Sequence, residues 1–408
     1  KEINKSVNKT INLTPITHLG KVLTKGAFSF YSDILAQERE LYVSLPPSYG
    51  EGDRVYPVIY VLDAELLFEL TVSISALNAK RYAMPESIII GIANGNNNRR
   101  EMTLKTKRKI DDKRPFFNGD AEKYLRFINQ EVIPLVEKNY VKNTYDNGVH
   151  RTIIGMSPTT GPVFEALWSA PDMFQGYIGL STHYISQYLG SKQTIAEKIV
   201  QVLSHKDRGK TAIYLGLAGS DTKYYPAEAR THLELAEKLI KLAPKITHRI
   251  EVLEEQQHYL MATIGLQNGL NVVFPRAMNF IESNAKFIET DSPASAIQTL
   301  LEKRSISVGY SVVPIGDGLG NITLNSLGYK LIAKSRFQAA VDVFTLALKY
   351  QPHHAVFYDG MADAYTEAGQ YDAAILAMKK AVDTATQYPQ AGLEYYKSHL
   401  EKLLNIGE

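Results

Sequence analysis

Several short stretches of this chain are almost unbroken in apolar residues: PVIYVL at 57–62, IIIGI at 88–92, TII at 152–154, YIGL at 177–180 and TAIYLGL at 211–217. A strand with one wet face alternates, so runs of this kind describe strands covered on both faces. Stretches with helical spacing separate them, at 66–82, 121–140 and 227–242. Strand and helix in alternation imply right-handed crossovers and a doubly wound, mostly parallel α/β sheet. Residues 27–45 alternate instead and end at Pro46-Pro47-Ser48-Tyr49-Gly50, which predicts two antiparallel strands and a turn at the start.

One junction carries chemistry. The run at 152–154 stops at Gly155-Met156-Ser157, and a helical pattern with Val163, Ala166, Leu167 and Ala170 follows at once. A serine at a sharp strand-to-helix corner is the setting of a Gly-x-Ser nucleophile elbow, with the helix N-terminus aimed at the hydroxyl. Two features depart from that pattern. Pro158 has no N–H to give to an oxyanion hole, and it restricts the serine before it. Thr159 stands where glycine lets helix and strand approach, a role Gly161 can take over in part. The plain alternative is an ordinary turn with proline at the first helical position.

Further strand ends add to the serine. The run at 211–217 leads to Ala218-Gly219-Ser220-Asp221, and the strand expected at 249–253 leads to His258. Serine, aspartate and histidine thus follow in the chain order of α/β-hydrolase triads, each just past a strand. His183, after the run at 177–180, competes with His258 or lines the pocket. The loop at 94–120 holds Arg99, Arg100, Lys105, Lys107, Arg108, Lys109, Lys113 and Arg114 against Glu101, Asp111, Asp112 and Asp120. It reads either as a lid that selects anionic substrates or as a solvated charged loop. Residues 185–204 read as helix.

Residues 25–285 resemble the esterase branch of the α/β-hydrolases that holds enterochelin-type siderophore esterases, feruloyl esterases and S-formylglutathione hydrolases. The resemblance rests on Arg39-Glu40-Leu41-Tyr42-Val43-Ser44-Leu45-Pro46, on Tyr56-Pro57-Val58-Ile59-Tyr60-Val61-Leu62-Asp63 and on Asn98-Arg99-Arg100-Glu101-Met102-Thr103. It continues through 177–181 and through His258 followed by Gly265-Leu266, Gly269-Leu270 and Val273-Phe274. It implies Ser157 as nucleophile, His258 as base and Asp221 as acid, with Glu228 a fallback. It also implies an oxyanion and substrate-binding set of Ala64, Glu65, Met156, Arg99, Arg100 and His183, with the hydroxyls of Thr159 or Thr160 as possible substitutes for the missing donor. The family's glycines are absent at Thr159, Thr160 and Ala64, around the oxyanion hole.

Composition narrows the setting. With a net charge of +2, nothing global calls for nucleic acid. No run approaches a membrane span, and with no cysteine there is neither disulfide nor thiolate site. No metal-binding spacing appears and no cofactor is expected; the adjacent His353 and His354 cannot face the same way on a helix. Cysteine avoidance and a polar start at Lys1 favour a periplasmic or secreted protein whose leader was removed, although a cytoplasmic one fits the composition as well.

Beyond the esterase-like region the pattern changes. Phe337, Ala340 and Ala347 recur as Tyr371, Ala374 and Ala381, each 34 residues later, and Leu331 recurs as Tyr365. This is similar to the tetratricopeptide repeat, two units with a closing helix at 393–404. The expected division is an N-terminal extension 1–24, a hydrolase domain 25–287, a connector 288–320 with a short helix at 294–303 and a glycine-rich turn at 316–320, and a repeat domain 321–408. Two readings follow: a serine hydrolase of a small-molecule ester, acyl or siderophore-like, or a catalytically impaired hydrolase fold acting as a scaffold. The repeats would serve a protein partner, or a second copy of the chain.

Overall fold

The structure, a computed structural model, describes residues 25–50, 52–80, 83–95, 99–104, 119–189, 193–205, 210–243, 245–275, 284–313 and 324–406. The N-terminal extension, residues 105–118 of the charged loop and the turn at 316–320 lie outside the described residues. The chain divides into two compact units, the first running to Pro275 with 308–310 added, the second taking 276–307 and 311–408.

In the first unit the elements run β1 (Lys25–Ser32), β2 (Gln37–Ser44), β3 (Val58–Leu62), α1 (Ala64–Lys80), β4 (Ile88–Ile92), a 3₁₀ turn (Arg99–Met102), α2 (Ala121–Phe127), α3 (Ile133–Tyr140), β5 (Arg151–Met156) and α4 (Thr160–Ser169). There follow β6 (Gly176–Leu180), α5 (Ile195–Leu203), β7 (Ala212–Ala218), α6 (Pro226–Leu242), β8 (Thr247–Leu253) and α7 (Ala262–Val273). The eight strands form one sheet in the order β1-β2-β4-β3-β5-β6-β7-β8. β1 and β2 are antiparallel, β2 meets β4 antiparallel, and every later pairing is parallel.

The unbroken apolar runs are the central strands, and each serves two cores. Val58, Tyr60, Leu62, Tyr177, Ile213 and Leu215 join the cluster that includes residues of α2 to α6. Their neighbours turn the other way: Ile178 lies under Gly269 and Leu180 under Gly265 of α7. β8, at the sheet margin, is only partly buried.

Three sequence expectations need correction. Residues 185–204 are not one helix: Tyr188–Leu189 pairs with Gln193–Thr194, and α5 starts only after Thr194. Thr194 Oγ1 accepts from Glu197 N (3.1 Å) while Glu197 Oε2 accepts from Thr194 N (2.8 Å), a capping box that fixes the start. The helix at 121–140 contains a π turn, Ile128–Val132. Pro134 cannot donate to the carbonyl four residues back, and the wider turn precedes it. The connector helix is longer than 294–303, running Pro293–Val308.

The second unit is helical: α8 (Asn284–Ile288), α9 (Pro293–Val308), α10 (Leu324–Ala333), α11 (Phe337–Tyr350), α12 (Ala355–Glu367), α13 (Tyr371–Gln387) and α14 (Leu393–Ile406). Small side chains let α12 and α13 approach, with Ala355, Ala362, Ala374, Ala377 and Ala381 buried together and closed off by Tyr396 and Leu403 of α14. No helix among the described residues is long and apolar enough to cross a membrane.

Candidate active site

β5 delivers Ser157 into a 3₁₀ turn, Ser157–Thr159, that leads directly into α4. Ser157 has φ +56°, a left-handed conformation that costs a non-glycine residue about 1–2 kcal/mol, and it persists although proline follows. The corner is tight: a Cβ on Gly155 would sit 2.4 Å from Thr159 O, and one on Gly161 would sit 1.9 Å from Met102 O. Glycine at 161 therefore lets the Arg99–Met102 turn pack against the start of α4.

The threonines brace this corner rather than face a substrate. Thr159 Oγ1 accepts from Met156 N (2.8 Å) and shares its proton between Met156 O (2.9 Å) and Asp63 Oδ2 (3.1 Å). Thr160 Oγ1 donates to Ser157 O (2.6 Å) and meets the Tyr184 hydroxyl. Both hydroxyls are thus engaged within the corner, and Met156 is fully buried with its N–H committed to Thr159.

Asp221 lies in the 3₁₀ turn after β7 (Gly219–Lys223), and His258 in the turn after β8. Both Asp221 oxygens stand 2.9 Å from His258 Nδ1. With Nδ1 donating to the carboxylate, Nε2 carries the lone pair. Ser181 Oγ donates to His258 O (2.5 Å), which fastens the histidine loop to the end of β6. Asp221 is buried, whereas the His258 side chain is 25% exposed. Ser157 is 2% exposed, and its hydroxyl makes no hydrogen bond with His258. Catalytic hydrogen bonds often tighten only around bound substrate.

His183 stands beside His258, ring centroids 5.1 Å apart and nearly edge-on, with Nδ1 2.9 Å from Ser181 O. Burial pushes its pKa below the usual histidine value. Among the described residues, His183, Asp221 and His258 gather three donor atoms within 4.8 Å of one another. Among the described residues no hydrogen bond joins Glu228 to His258. Glu228 is buried, accepts Ser186 N at 3.2 Å and lies 4.0 Å from His232 Nδ1, and burial raises its pKa to about 7.

Asp63, a centre that the sequence pattern did not single out, organises the opposite wall. At φ +55° it is buried between β3 and α1 and receives Asn94 Nδ2 (2.6 Å), Arg99 Nη2 (2.6 Å) and Thr159 Oγ1. Arg99 lies 3.4 Å from Met156 O, and the Tyr259 side chain is close enough to act on its charge, so it spans from the serine corner towards the residue after His258. Arg100 is exposed instead. The loop that carries both is pinned by buried Arg39, which binds Glu101 (2.8 Å), Tyr124 (2.7 Å) and Ala93 O. The backbone N–H groups of Ala64 and Glu65, at the start of α1, donate to no acceptor among the described residues; the Glu65 carboxylate accepts Asn94 N (2.8 Å).

Sheet order and the strand-end constellation together define an α/β-hydrolase. Residues 32–259 match the family described as "Putative esterase", and the chain belongs to that family. Residues 331–393 match the tetratricopeptide repeat. Over 147 residues the chain is 29% identical to ferri-bacillibactin esterase BesA of Bacillus subtilis, covering 33% of this chain and 48% of that protein. YbbA of the same organism is 30% identical over 155 residues, 38% of this chain and 59% of that protein. The chain thus spans about half the length of these curated relatives. The IroE-like serine hydrolase from Shewanella oneidensis shares the fold at a TM-score of 0.55, with 20% identity, over 80% of this chain and 99% of that one.

Proposed function

We propose that this chain hydrolyses a carboxylic ester with Ser157 as nucleophile, His258 as general base and Asp221 as the group that orients the base. The observation that carries this reading is the double contact of Asp221 with His258 Nδ1 (2.9 Å to each oxygen), on the same sheet edge as a serine held at positive φ. Ser157 Oγ attacks the ester carbonyl as its proton passes to His258 Nε2. The same proton then leaves with the alcohol, and water releases the acyl group by the reverse sequence. Asp221 stabilises the imidazolium that forms between these steps.

The oxyanion needs donors other than Pro158. The N–H groups of Ala64 and Glu65 and the guanidinium of Arg99 are the groups in this reading that take the role. The likeness to BesA supports a siderophore-like or comparable acyl ester as substrate. The repeats form a second surface, for a protein partner or another copy of the chain.

Pro158 favours a second reading, a hydrolase fold that has lost efficient turnover and serves as a scaffold. A fluorophosphonate probe separates the two without knowledge of the substrate. Stoichiometric labelling of the wild type and none of Ser157→Ala supports the enzyme. Labelling of neither, with equal negligible rates on p-nitrophenyl and feruloyl esters, supports the scaffold.

A further inference from the structure

The structure assigns a zinc-type divalent cation site to His183, Asp221 and His258, and occupation of this site switches hydrolysis off. The site stands on geometry alone; the switching rests on the proposed triad. Zinc takes nitrogen and carboxylate ligands at about 2.0–2.1 Å in tetrahedral array, which places neighbouring donors roughly 3.4 Å apart. His258 Nδ1 and the Asp221 oxygens are already 2.9 Å apart, and all three residues supply donors within 4.8 Å. Movement of about an ångström, easiest for the partly exposed His258, closes the set.

His183 is prepared as a ligand in a further way. Its Nδ1 is fixed at 2.9 Å from Ser181 O, which sets the tautomer and leaves Nε2 with the lone pair. A backbone carbonyl holding the far nitrogen is the usual outer support of a metal-bound histidine. The same loop, through Ser181 Oγ, grips His258 O at 2.5 Å, so both imidazoles hang from one turn after β6. The cation takes His258 Nδ1 in place of the proton shared with Asp221, and that proton passes through solvent to Nε2, so the neutral ring has no lone pair left to accept the proton of Ser157. His258 then no longer has Asp221 as its orienting partner and cannot act as base.

Isothermal titration of the full chain with zinc chloride in a non-coordinating buffer near neutral pH tests the site. The expected result is one equivalent bound at micromolar Kd by wild type and by Ser157→Ala, with binding weakened about tenfold or more in His183→Gln and Asp221→Asn. Metal-free melting curves check that each variant is folded, and His183→Asn replaces His183→Gln if the latter is not. No binding up to roughly millimolar zinc, or equal affinity in the folded variants, overturns the site; equal affinity places zinc elsewhere on the chain. Ser157→Ala keeps the two readings apart, because its zinc binding does not depend on hydrolysis. Zinc bound as expected by a protein that no fluorophosphonate labels leaves the site standing and removes the hydrolase reading.

Discussion

Pro158 gives the proposed chemistry a handicap that can be reversed. Pro158→Leu restores an N–H directly after the nucleophile, and one oxyanion donor is typically worth about 10²–10³ in turnover. A rise in kcat toward that range is expected; unchanged kcat in a folded variant would show that other donors already suffice. Asp63 is the second test at this scale. Asp63→Asn keeps the shape but weakens the hold on Arg99 and Thr159. The expected loss is about 1–3 kcal/mol of stability and about tenfold in kcat. In a double-mutant cycle with Arg99→Met, the two effects should be less than additive. The corner, Ser157, Asp221 and His258 were legible because each follows a strand. Asp63 was not, since its role depends on Asn94, Arg99 and Thr159 arriving from three later segments, and no spacing encodes that meeting.

At the level of elements, one buried and one partly exposed ionisable group each lose stabilisation as pH rises, and their variants reveal it at opposite ends of the range. Glu228, on α6, has its pKa raised by burial from 4.5 to about 7, and burial lowers the pKa of its neighbour His232 to about 4, so that ring supplies no counter-charge near neutral pH. Ionisation thus favours the unfolded chain. The associated stability is full below about pH 4.5 and lost as pH rises through about 7. Glu228→Gln should remove this loss, worth about 3 kcal/mol by linkage, and denaturant titrations at pH values across that window check it. His399 of α14 hydrogen-bonds Asp359 of α12 at 2.8 Å, and this bond raises its pKa. Its contribution is present below the ordinary histidine range and fades as pH rises past the raised value. His399→Ala should speed amide exchange in α14 at mildly acidic pH and change it little in alkali. The helix at 227–242 and the closing helix were plain from periodicity. The 185–204 stretch misled because its apolar content fits a helix, while the capping pair Thr194 and Glu197 marks where helix begins.

For the molecule as a whole, the doubly wound sheet and the helical repeats were readable because each leaves a period in the text, unbroken runs for one and 34-residue recurrence for the other. The cation site was not, because its ligands are 38 and 37 residues apart and meet only when β6, β7 and β8 lie side by side. One property of the sheet reaches beyond the reaction. Tyr60 and Tyr214 stand within the strands and Tyr124 against them, all sealed from solvent, and burial drives each phenol well above its ordinary range. A phenolate has no place in that interior, so these rings stay protonated until the fold gives way. In strong base the part of the phenolate absorbance that belongs to these buried rings should therefore appear in a single sharp rise together with loss of ellipticity, the core failing all at once rather than ring by ring.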